Sequence, residues 1–209
     1  MDLIRNLTSF IAGFLSRKLF FNSTNSFRIG HGWDIHRLRR LDEDDIVEEE
    51  VENGEVFVSK RKNEKPLILG GIEISQNFSV ESHSDGDALL HSIADAILGA
   101  CGLPDIGELF QDTDPQWKDS DSEMILVNVI QMAADIGWSV CSIDATIILE
   151  RPKLGILKDD IIKNINRMLK KCKAHNSHFN VKARTYEMLD SVGQGKAVIC
   201  EAVVLMTRK

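Results

Sequence analysis

The sequence predicts an α+β domain in which a mainly antiparallel, four-stranded-type sheet carries helices on one face. Two kinds of segment support this prediction. Some short stretches alternate apolar and polar residues or are rich in Ile, Val and Thr, as strands are. Three longer stretches carry apolar residues at helical spacing. Their order is β, β, α, α, β, α, β, β with no internal repeat, which indicates an α+β sandwich.

Size and composition are those of one globular domain with some additional chain. The chain has 209 residues, of which 43% are hydrophobic, enough to bury a core. Nine acids and no Lys or Arg lie between Leu41 and Ser59, and without them the net charge of −7 becomes +2. The remainder could hold a small anionic molecule, but it lacks the basic stripe that a nucleic-acid partner requires.

Residues 1–27 differ in composition from the rest of the chain. Apolar residues recur at helical spacing, the only acid is Asp2, and Arg, Lys, Ser, Thr and Asn are frequent. This pattern predicts an organellar transit segment or its remnant, while an amphipathic helix packed on the domain is the alternative. No apolar run reaches the ~20 residues of a membrane span, so we expect no membrane partner.

The first predicted strand, at about residues 27–33, leads into an acid and a histidine two residues apart. Because alternate side chains of a strand share a face, Asp34 and His36 should project together, with His31 on the opposite face. A carboxylate and an imidazole on one rigid edge make half of a metal site. The D-x-H pattern alone is weak, since single histidines are more often ordinary polar residues.

The segment 41–65 interrupts the domain after this strand. Its run of acids predicts a solvated, disordered insertion. Residues 66–74 then read as a strand, a turn or bulge at Gly70 and Gly71, and a short second strand.

The first predicted helix follows a polar stretch and ends near Cys101. Ser84 or Asp85 is expected to cap its N-terminus. His91 lies on the flank of the buried stripe and is the best-placed third ligand. Asp95, one turn further on, should accept a hydrogen bond from the second ring nitrogen of His91. Two imidazoles and one carboxylate with an open position are typical of catalytic zinc.

The remaining elements follow from the same patterns. We predict a loop at 105–120, a helix at 121–136, a strand at 139–150 and a turn at 151–155. A helix at 156–173 and two last strands at 178–184 and 196–206 follow. The four cysteines are widely spaced and form no C-x-x-C, so they are expected to be free thiols in a reducing compartment.

Four motifs carry a family resemblance. They are R-I-G-H-G-W-D-I-H, H-S-D-G-D-A-L-L-H-S-I-A-D-A, D-I-G-E-L-F-Q-D-T-D-P and N-V-K-A-R-T-Y-E-M-L, in this order along residues 28–206. The domain resembles the 2-C-methyl-D-erythritol 2,4-cyclodiphosphate synthases of non-mevalonate isoprenoid synthesis. The resemblance implies a homotrimer with active sites between subunits. It also implies cyclisation of 4-diphosphocytidyl-2-C-methyl-D-erythritol 2-phosphate with release of CMP.

The same resemblance implies a set of site residues. Zn²⁺ would be held by Asp34, His36 and His91, the three residues that the spacing had already selected. Glu187 would hold a second ion, Mg²⁺ or Mn²⁺, together with the diphosphate. His83 and Thr185 would contact the reacting phosphates as catalytic residues. Ser84 would contact the substrate beside His83. The other implied substrate contacts are Asp105, Ile106, Gly107 and Asp112 at the methylerythritol part, and Pro152, Lys153, Leu154 and Ala183 around the cytidine.

Some positions depart from the family pattern. Arg184 and Tyr186 stand where small hydroxyl residues are common. Ser191 and Gln194 replace an aromatic residue and an arginine that, in many members, line a channel at the trimer axis able to hold an isoprenoid diphosphate. That secondary ligand is therefore not implied for this chain.

The pathway and the residue 1–27 pattern together imply a plastid-type organelle, an apicoplast or a chloroplast. Two other functions remain open from the sequence. One is a zinc-dependent phosphodiesterase or other hydrolase that uses a metal-bound water on a nucleotide-linked substrate. The other is a trimeric binding module without activity.

Overall fold

The structure, a computed structural model, describes residues 26–41, 47–50, 56–59, 65–82, 84–111, 121–172, 174 and 177–208. Its strands are β1 (Phe27–Arg40), β2 (Val47–Glu50), β3 (Val56–Ser59), β4 (Lys65–Leu69), β5 (Ile72–Glu81), β6 (Trp138–Ile148), β7 (His178–Arg184) and β8 (Ala197–Arg208). Its helices are α1 (Ala88–Cys101), α2 (Ile106–Leu109), α3 (Ser122–Asp135), α4 (Lys158–Lys171) and α5 (Asp190–Gly193). This mixture confirms the predicted α+β class.

The main sheet has six strands in the order β4-β5-β1-β8-β6-β7. Its pairs are antiparallel except for β6 and β7, which are parallel. The prediction of a four-stranded sheet was therefore wrong, although the mainly antiparallel pairing was right. The difference arises at residues 65–81, where the predicted strand and short second strand are two full strands that extend one edge of the sheet.

Two short strands lie inside the acidic insertion. Val47–Glu50 pairs antiparallel with Val56–Ser59, with Val47 opposite Ser59. They form a separate two-stranded sheet, and disorder of the insertion as a whole stays a prediction. The rest of the 41–65 insertion, apart from Leu41 and Lys65, lies outside the described residues, as do residues 1–25 of the predicted transit segment.

Strand β1 and helix α1 lie unusually close together because β1 has glycines where they meet. A Cβ added to Gly30 would lie 1.7 Å from the carbonyl oxygen of Ala96, and one added to Gly32 would lie 1.9 Å from that of Ser92. Only residues without a side chain allow this approach. The helix backbone therefore rests directly on the strand. The contact at Gly32 and Ser92 lies next to the candidate metal ligands Asp34 and His91.

Helix α4 contacts both edges of the sheet. It packs against β7 at one edge, and its Asn164 side chain donates a hydrogen bond of 2.8 Å to the carbonyl of Gly70 in the β4–β5 turn at the other. The sheet therefore curls around the helices, and the apolar core fills the space between its inner face and α1, α3 and α4.

Asp87 is the N-cap of α1, in place of the predicted Ser84 or Asp85. Its carboxylate accepts hydrogen bonds from the backbone N–H groups of Leu89 and Leu90 in the helix and of Gly70 and Gly71 in the β4–β5 turn. Complete burial raises the pKa of Asp87 to about 6, against the effect of these backbone donors. One side chain thus joins the start of α1 to the edge of the sheet.

The outer face of the sheet carries exposed apolar side chains. They come from alternate positions of β1 and from β8, namely Phe27, Ile29, Trp33, Ile35 and Val203. Alternation along β1 explains this exposure, since the intervening positions face α1. Isolated exposed apolar residues are ordinary, but a contiguous set marks an interaction surface.

The other predicted helices and the free cysteines are present in the structure. The predicted helices at 121–136 and 156–173 are present as α3 and α4, and the predicted loop at 105–120 contains the one-turn helix α2. All four cysteines are free, as expected. In the described part of the chain, no helix combines the length and apolar character needed to cross a bilayer.

We expect Glu123→Gln to lower stability at neutral pH but not in acid. Glu123 of α3 contacts Arg167 at 2.5 Å and Lys171 at 2.7 Å in α4. The Arg167 hydrogen bond is the main cause that lowers the pKa of Glu123 to about 2. Because the folded pKa is lower than the unfolded one, this stabilisation is present above about pH 4.5 and is lost as the pH falls toward 2.

Thermal unfolding of both proteins at pH 7 and pH 2.5 measures this effect. The interaction is partly exposed, so a difference below about 1 kcal/mol is expected at pH 7. Glu73→Gln, at an exposed position of β5, is the control and should change little at either pH. A Glu123→Gln effect that is as large at pH 2.5 as at pH 7 would contradict the pairing.

Candidate active site

Asp34, His36 and His91 form one group that could hold a metal ion. Asp34 and His36 lie on the inner face of β1, and His91 lies on α1 where the helix crosses the strand. One ligand atom from each of the three lies within 4.8 Å of the others. The structure thus brings together the three residues that the sequence selected.

His36 offers a ring nitrogen to this group. Its Nδ1 lies 2.9 Å from the carbonyl oxygen of Ile35, and a carbonyl can only accept, so Nδ1 carries a proton. Its Nε2 is buried, has no hydrogen-bond partner among the described residues, and lies 3.5 Å from Asp34 Oδ2. A buried nitrogen lone pair without a donor is unfavourable. A bound cation would satisfy it, so the residues fit a metal ion.

His91 and Asp34 are already in contact. His91 Nδ1 lies 3.1 Å from Asp34 Oδ2. Burial lowers the pKa of His91, but the hydrogen bond and charge of Asp34 outweigh it, and the pKa is raised. Burial likewise raises the pKa of Asp34, but His91 and His36 lower it more, and the net shift is downward. A cation that binds here would displace a proton from this pair.

The role predicted for Asp95 was wrong. Its Oδ1 accepts a hydrogen bond of 2.9 Å from the backbone N–H of Ile106, so it joins α1 to the start of α2 and does not contact His91. The Nε2 atom of His91 instead lies 2.9 Å from Ser122 Oγ and 3.3 Å from Ser84 Oγ. The sequence patterns gave no signal for Ser122, which is an ordinary first residue of a helix.

Several predicted substrate contacts lie near the metal group. Ser84 contacts His91 directly, and Asp95 holds Ile106 beside the same helix. Asp105 caps α2 by accepting a hydrogen bond of 2.9 Å from Glu108 N, and Gly107 is exposed within that turn. His83 and Asp112 lie outside the described residues.

The remaining predicted contacts form a second group at the end of β7. Thr185 Oγ1 lies 3.5 Å from Glu187 Oε1, and Glu187 is exposed. Pro152, after a cis peptide bond, is half-buried and Lys153 is exposed, but Leu154 is buried in the core. A wall formed by Leu154 would therefore use its backbone more than its side chain.

The turn that carries Glu187 has an unfavourable backbone conformation. Glu187 and Met188 have φ values of 53° and 63°, which side chains other than glycine seldom adopt. Buried Glu150 supports the turn, because its Oε2 accepts hydrogen bonds from the backbone of Tyr186 at 3.0 Å and of Met188 at 3.5 Å. No sequence pattern indicated this role of Glu150.

The structure does not bring the two groups together within one chain. Asp34 is in register with Cys200, then Ile147, then Ala183, across four neighbouring strands. Three strand spacings place Ala183 roughly 14 Å from Asp34 along the sheet. The metal group and the Thr185 group therefore belong to separate parts of this chain.

An α+β fold that presents two imidazoles and a carboxylate with open coordination positions defines a candidate metalloenzyme. The chain belongs to the YgbB family, whose model matches residues 27–207.

Its relatives carry one enzyme name. A rice protein named 2-C-methyl-D-erythritol 2,4-cyclodiphosphate synthase, chloroplastic, is 40% identical over 88% of this chain and 71% of its own length. The synthase of that name from Geotalea uraniireducens is 41% identical over 87% of this chain and 99% of its own length. Both named relatives therefore match the family that the motifs had indicated.

Solved structures agree with this membership. The Plasmodium falciparum IspF complex with CDP is 34% identical and has a TM-score of 0.67, covering 90% of this chain and 99% of its own. The Plasmodium vivax 2C-methyl-D-erythritol 2,4-cyclodiphosphate synthase is 27% identical with a TM-score of 0.64, covering 88% and 99%.

Proposed function

We propose that this chain cyclises 4-diphosphocytidyl-2-C-methyl-D-erythritol 2-phosphate to 2-C-methyl-D-erythritol 2,4-cyclodiphosphate and releases CMP. Family membership and the names of its relatives support this activity. The observation that carries it is the convergence of Asp34, His36 and His91, whose ligand atoms lie within 4.8 Å of one another.

The reaction requires positioning more than proton transfer. An oxygen of the substrate's 2-phosphate attacks the β-phosphorus of its diphosphate, and the bond from that phosphorus to the oxygen of CMP breaks. The attacking oxygen is already ionised at neutral pH, so no activating base is needed. The protein's task is to hold a flexible substrate folded on itself, which can supply several kcal/mol of the barrier.

Two cations complete the proposal. Asp34, His36 and His91 would hold Zn²⁺, which suits imidazole ligands, and Glu187 with the substrate phosphates would hold Mg²⁺ or Mn²⁺, which prefer oxygen. When bound, these ions neutralise charge that gathers on the phosphates during the transfer. The exposed carboxylate of Glu187, beside Thr185, is compatible with such a role.

The proposed substrate contacts divide between the metal group and the group around Thr185. Residues 105–107, joined by Asp112, would bind the methylerythritol part, and Ser84 would contact the substrate beside His83. His83 and Thr185 would contact the phosphates. Around the cytidine we place Pro152, Lys153, Leu154 and Ala183. A structure of a relative with CDP supports a cytidine diphosphate-linked substrate.

A homotrimer would unite these two groups. Within one chain they lie about three strands apart, so a site that uses both needs a second subunit. The exposed apolar face formed by alternate residues of β1 and by Val203 offers the surface on which subunits could associate. We therefore place the active site between neighbouring subunits.

We also propose a plastid-type organelle as the location. Relatives from rice, Arabidopsis thaliana and Catharanthus roseus are named chloroplastic. The basic, acid-poor composition of residues 1–27 is that of a transit segment.

Product analysis tests the activity. The purified protein with Zn²⁺ and Mg²⁺ should convert the cytidyl substrate to CMP and a cyclic diphosphate, which phosphorus NMR distinguishes from a linear product. Formation of a linear phosphate without the cyclic compound would contradict the proposal and favour a phosphodiesterase. Neither relative described above carries a phosphodiesterase name.

A further inference from the structure

His91 makes hydrogen bonds on the side of its ring that faces away from Asp34. Its Nε2 lies 2.9 Å from the hydroxyl oxygen of Ser122, which is the first residue of α3 and has no exposed surface. Ser84 lies further from the same nitrogen, at 3.3 Å. Ser122 is thus the nearer of two hydroxyl partners and the more deeply buried.

Asp85 fixes Ser122 through both of its carboxylate oxygens. The backbone N–H of Ser122 donates to Asp85 Oδ2 at 2.9 Å, and its hydroxyl makes a short hydrogen bond to Asp85 Oδ1. The side chain of Asp85 also accepts a hydrogen bond of 3.1 Å from the backbone of Asp87, the N-cap of α1. The loop before α1 therefore holds the start of α3 beside the ring of His91.

The direction of this chain of hydrogen bonds follows from its last member. An ionised carboxylate can only accept, so the hydroxyl proton of Ser122 points to Asp85. The hydroxyl oxygen is then free to accept, and the ring nitrogen beside it must donate. His91 Nε2 therefore carries a proton, and in the neutral ring the lone pair lies on Nδ1, which faces Asp34.

We propose that Asp85 and Ser122 are positioning residues that set the tautomer and orientation of His91 so that it binds the metal ion through Nδ1. This inference deepens the proposed function, on which it rests. In this arrangement neither residue would be a metal ligand. Both act through the imidazole, as outer hydrogen-bond partners of metal-bound histidines do.

The two histidines would then use opposite ring nitrogens. The carbonyl of Ile35 takes the Nδ1 proton of His36 and leaves Nε2 for the metal ion. For His91 the Asp85 carboxylate acts through the Ser122 hydroxyl and leaves Nδ1. In each case a group that can only accept determines which nitrogen faces Asp34.

We call the hydrogen bonds that run from Asp85 through Ser122 to His91 the relay. The zinc affinities of three variants test it. Ser122→Ala removes the acceptor of the His91 Nε2 proton. Asp85→Asn either sets its NH₂ group against the backbone N–H of Ser122, or turns that group to the Ser122 hydroxyl, which then accepts and directs its own proton to His91 Nε2. Competition with a chromophoric chelator should show a zinc affinity 10- to 100-fold below wild type for both. Ser92→Ala is the matched control, since Ser92 is equally buried but its hydroxyl donates to Leu89 O. Its affinity should equal that of wild type.

Thermal unfolding with and without Zn²⁺ separates positioning from a structural role. A positioning role predicts a smaller zinc-dependent rise in Tm for Ser122→Ala and Asp85→Asn than for wild type. Equal zinc affinity and an equal rise in Tm in both variants would overturn the relay, even if their metal-free forms were less stable. A loss of affinity in Ser92→Ala as large as in Ser122→Ala would also overturn it. If wild type binds no Zn²⁺, the proposed metal site fails together with the relay.

Discussion

Replacement of His36 by alanine is expected to lower turnover by about 10³-fold, equivalent to ~4 kcal/mol of transition-state stabilisation. The variant loses one of the three proposed metal ligands, so zinc content should fall with activity. The metal-free variant should be as stable as the metal-free wild type to within about 1 kcal/mol, because the buried Nε2 of His36 has no hydrogen-bond partner among the described residues. Steady-state kinetics, metal analysis and chemical unfolding on the same samples measure all three.

His178→Ala is the control for this experiment. His178 is an exposed histidine at the start of β7, away from the metal group. It should keep its zinc content and its rate. Undiminished turnover of the His36→Ala protein would contradict the metal assignment, and a large loss of metal-free stability would contradict the unpaired state of Nε2.

Replacement of Gly32 by alanine is expected to destabilise the domain by at least about 3 kcal/mol. Its Cβ would lie 1.9 Å from the backbone oxygen of Ser92, and overlaps between backbone atoms cannot be relieved by a rotamer change. Helix α1 would have to move away from β1 and carry His91 away from Asp34. Urea unfolding should show the loss, and any folded fraction should bind Zn²⁺ poorly.

Gly155→Ala is the matched control for this substitution. No atom lies within 4 Å of a Cβ added at Gly155, and its backbone is outside the left-handed region, so stability should be unchanged or slightly higher. A Gly32→Ala protein with wild-type stability would show that α1 does not rest on β1 as described.

The metal group was predictable because each ligand belongs to a regular element. The period of two in a strand placed Asp34 and His36 on one face, and helical spacing placed His91 on a flank of α1. The error at Asp95 has a physical cause. Side chains of a helix lean toward its N-terminus. The ring of His91 therefore points toward Ser84 and away from Asp95, which lies one turn closer to the C-terminus.

The missed features depend on contacts that are distant in sequence. Asp87 was one of several acids before α1, and it became the cap because Gly70 and Gly71 of another hairpin supply donors to it. The extra strands of the sheet follow from pairing of β4 with β5 and of β5 with β1, which local patterns do not specify. Glu150 supports the 186–188 turn from a position 36 residues before Tyr186.

The two different faces of strand β1 limit where residues can be inserted into this chain. Its inner positions hold the candidate metal ligands and the two glycines under α1, while its outer positions hold the exposed apolar residues. A single-residue insertion before Asp34 would exchange the two faces for the residues on one side of it. Insertions should therefore be excluded from β1 and tolerated beyond Leu41, which is where the acidic segment interrupts the domain.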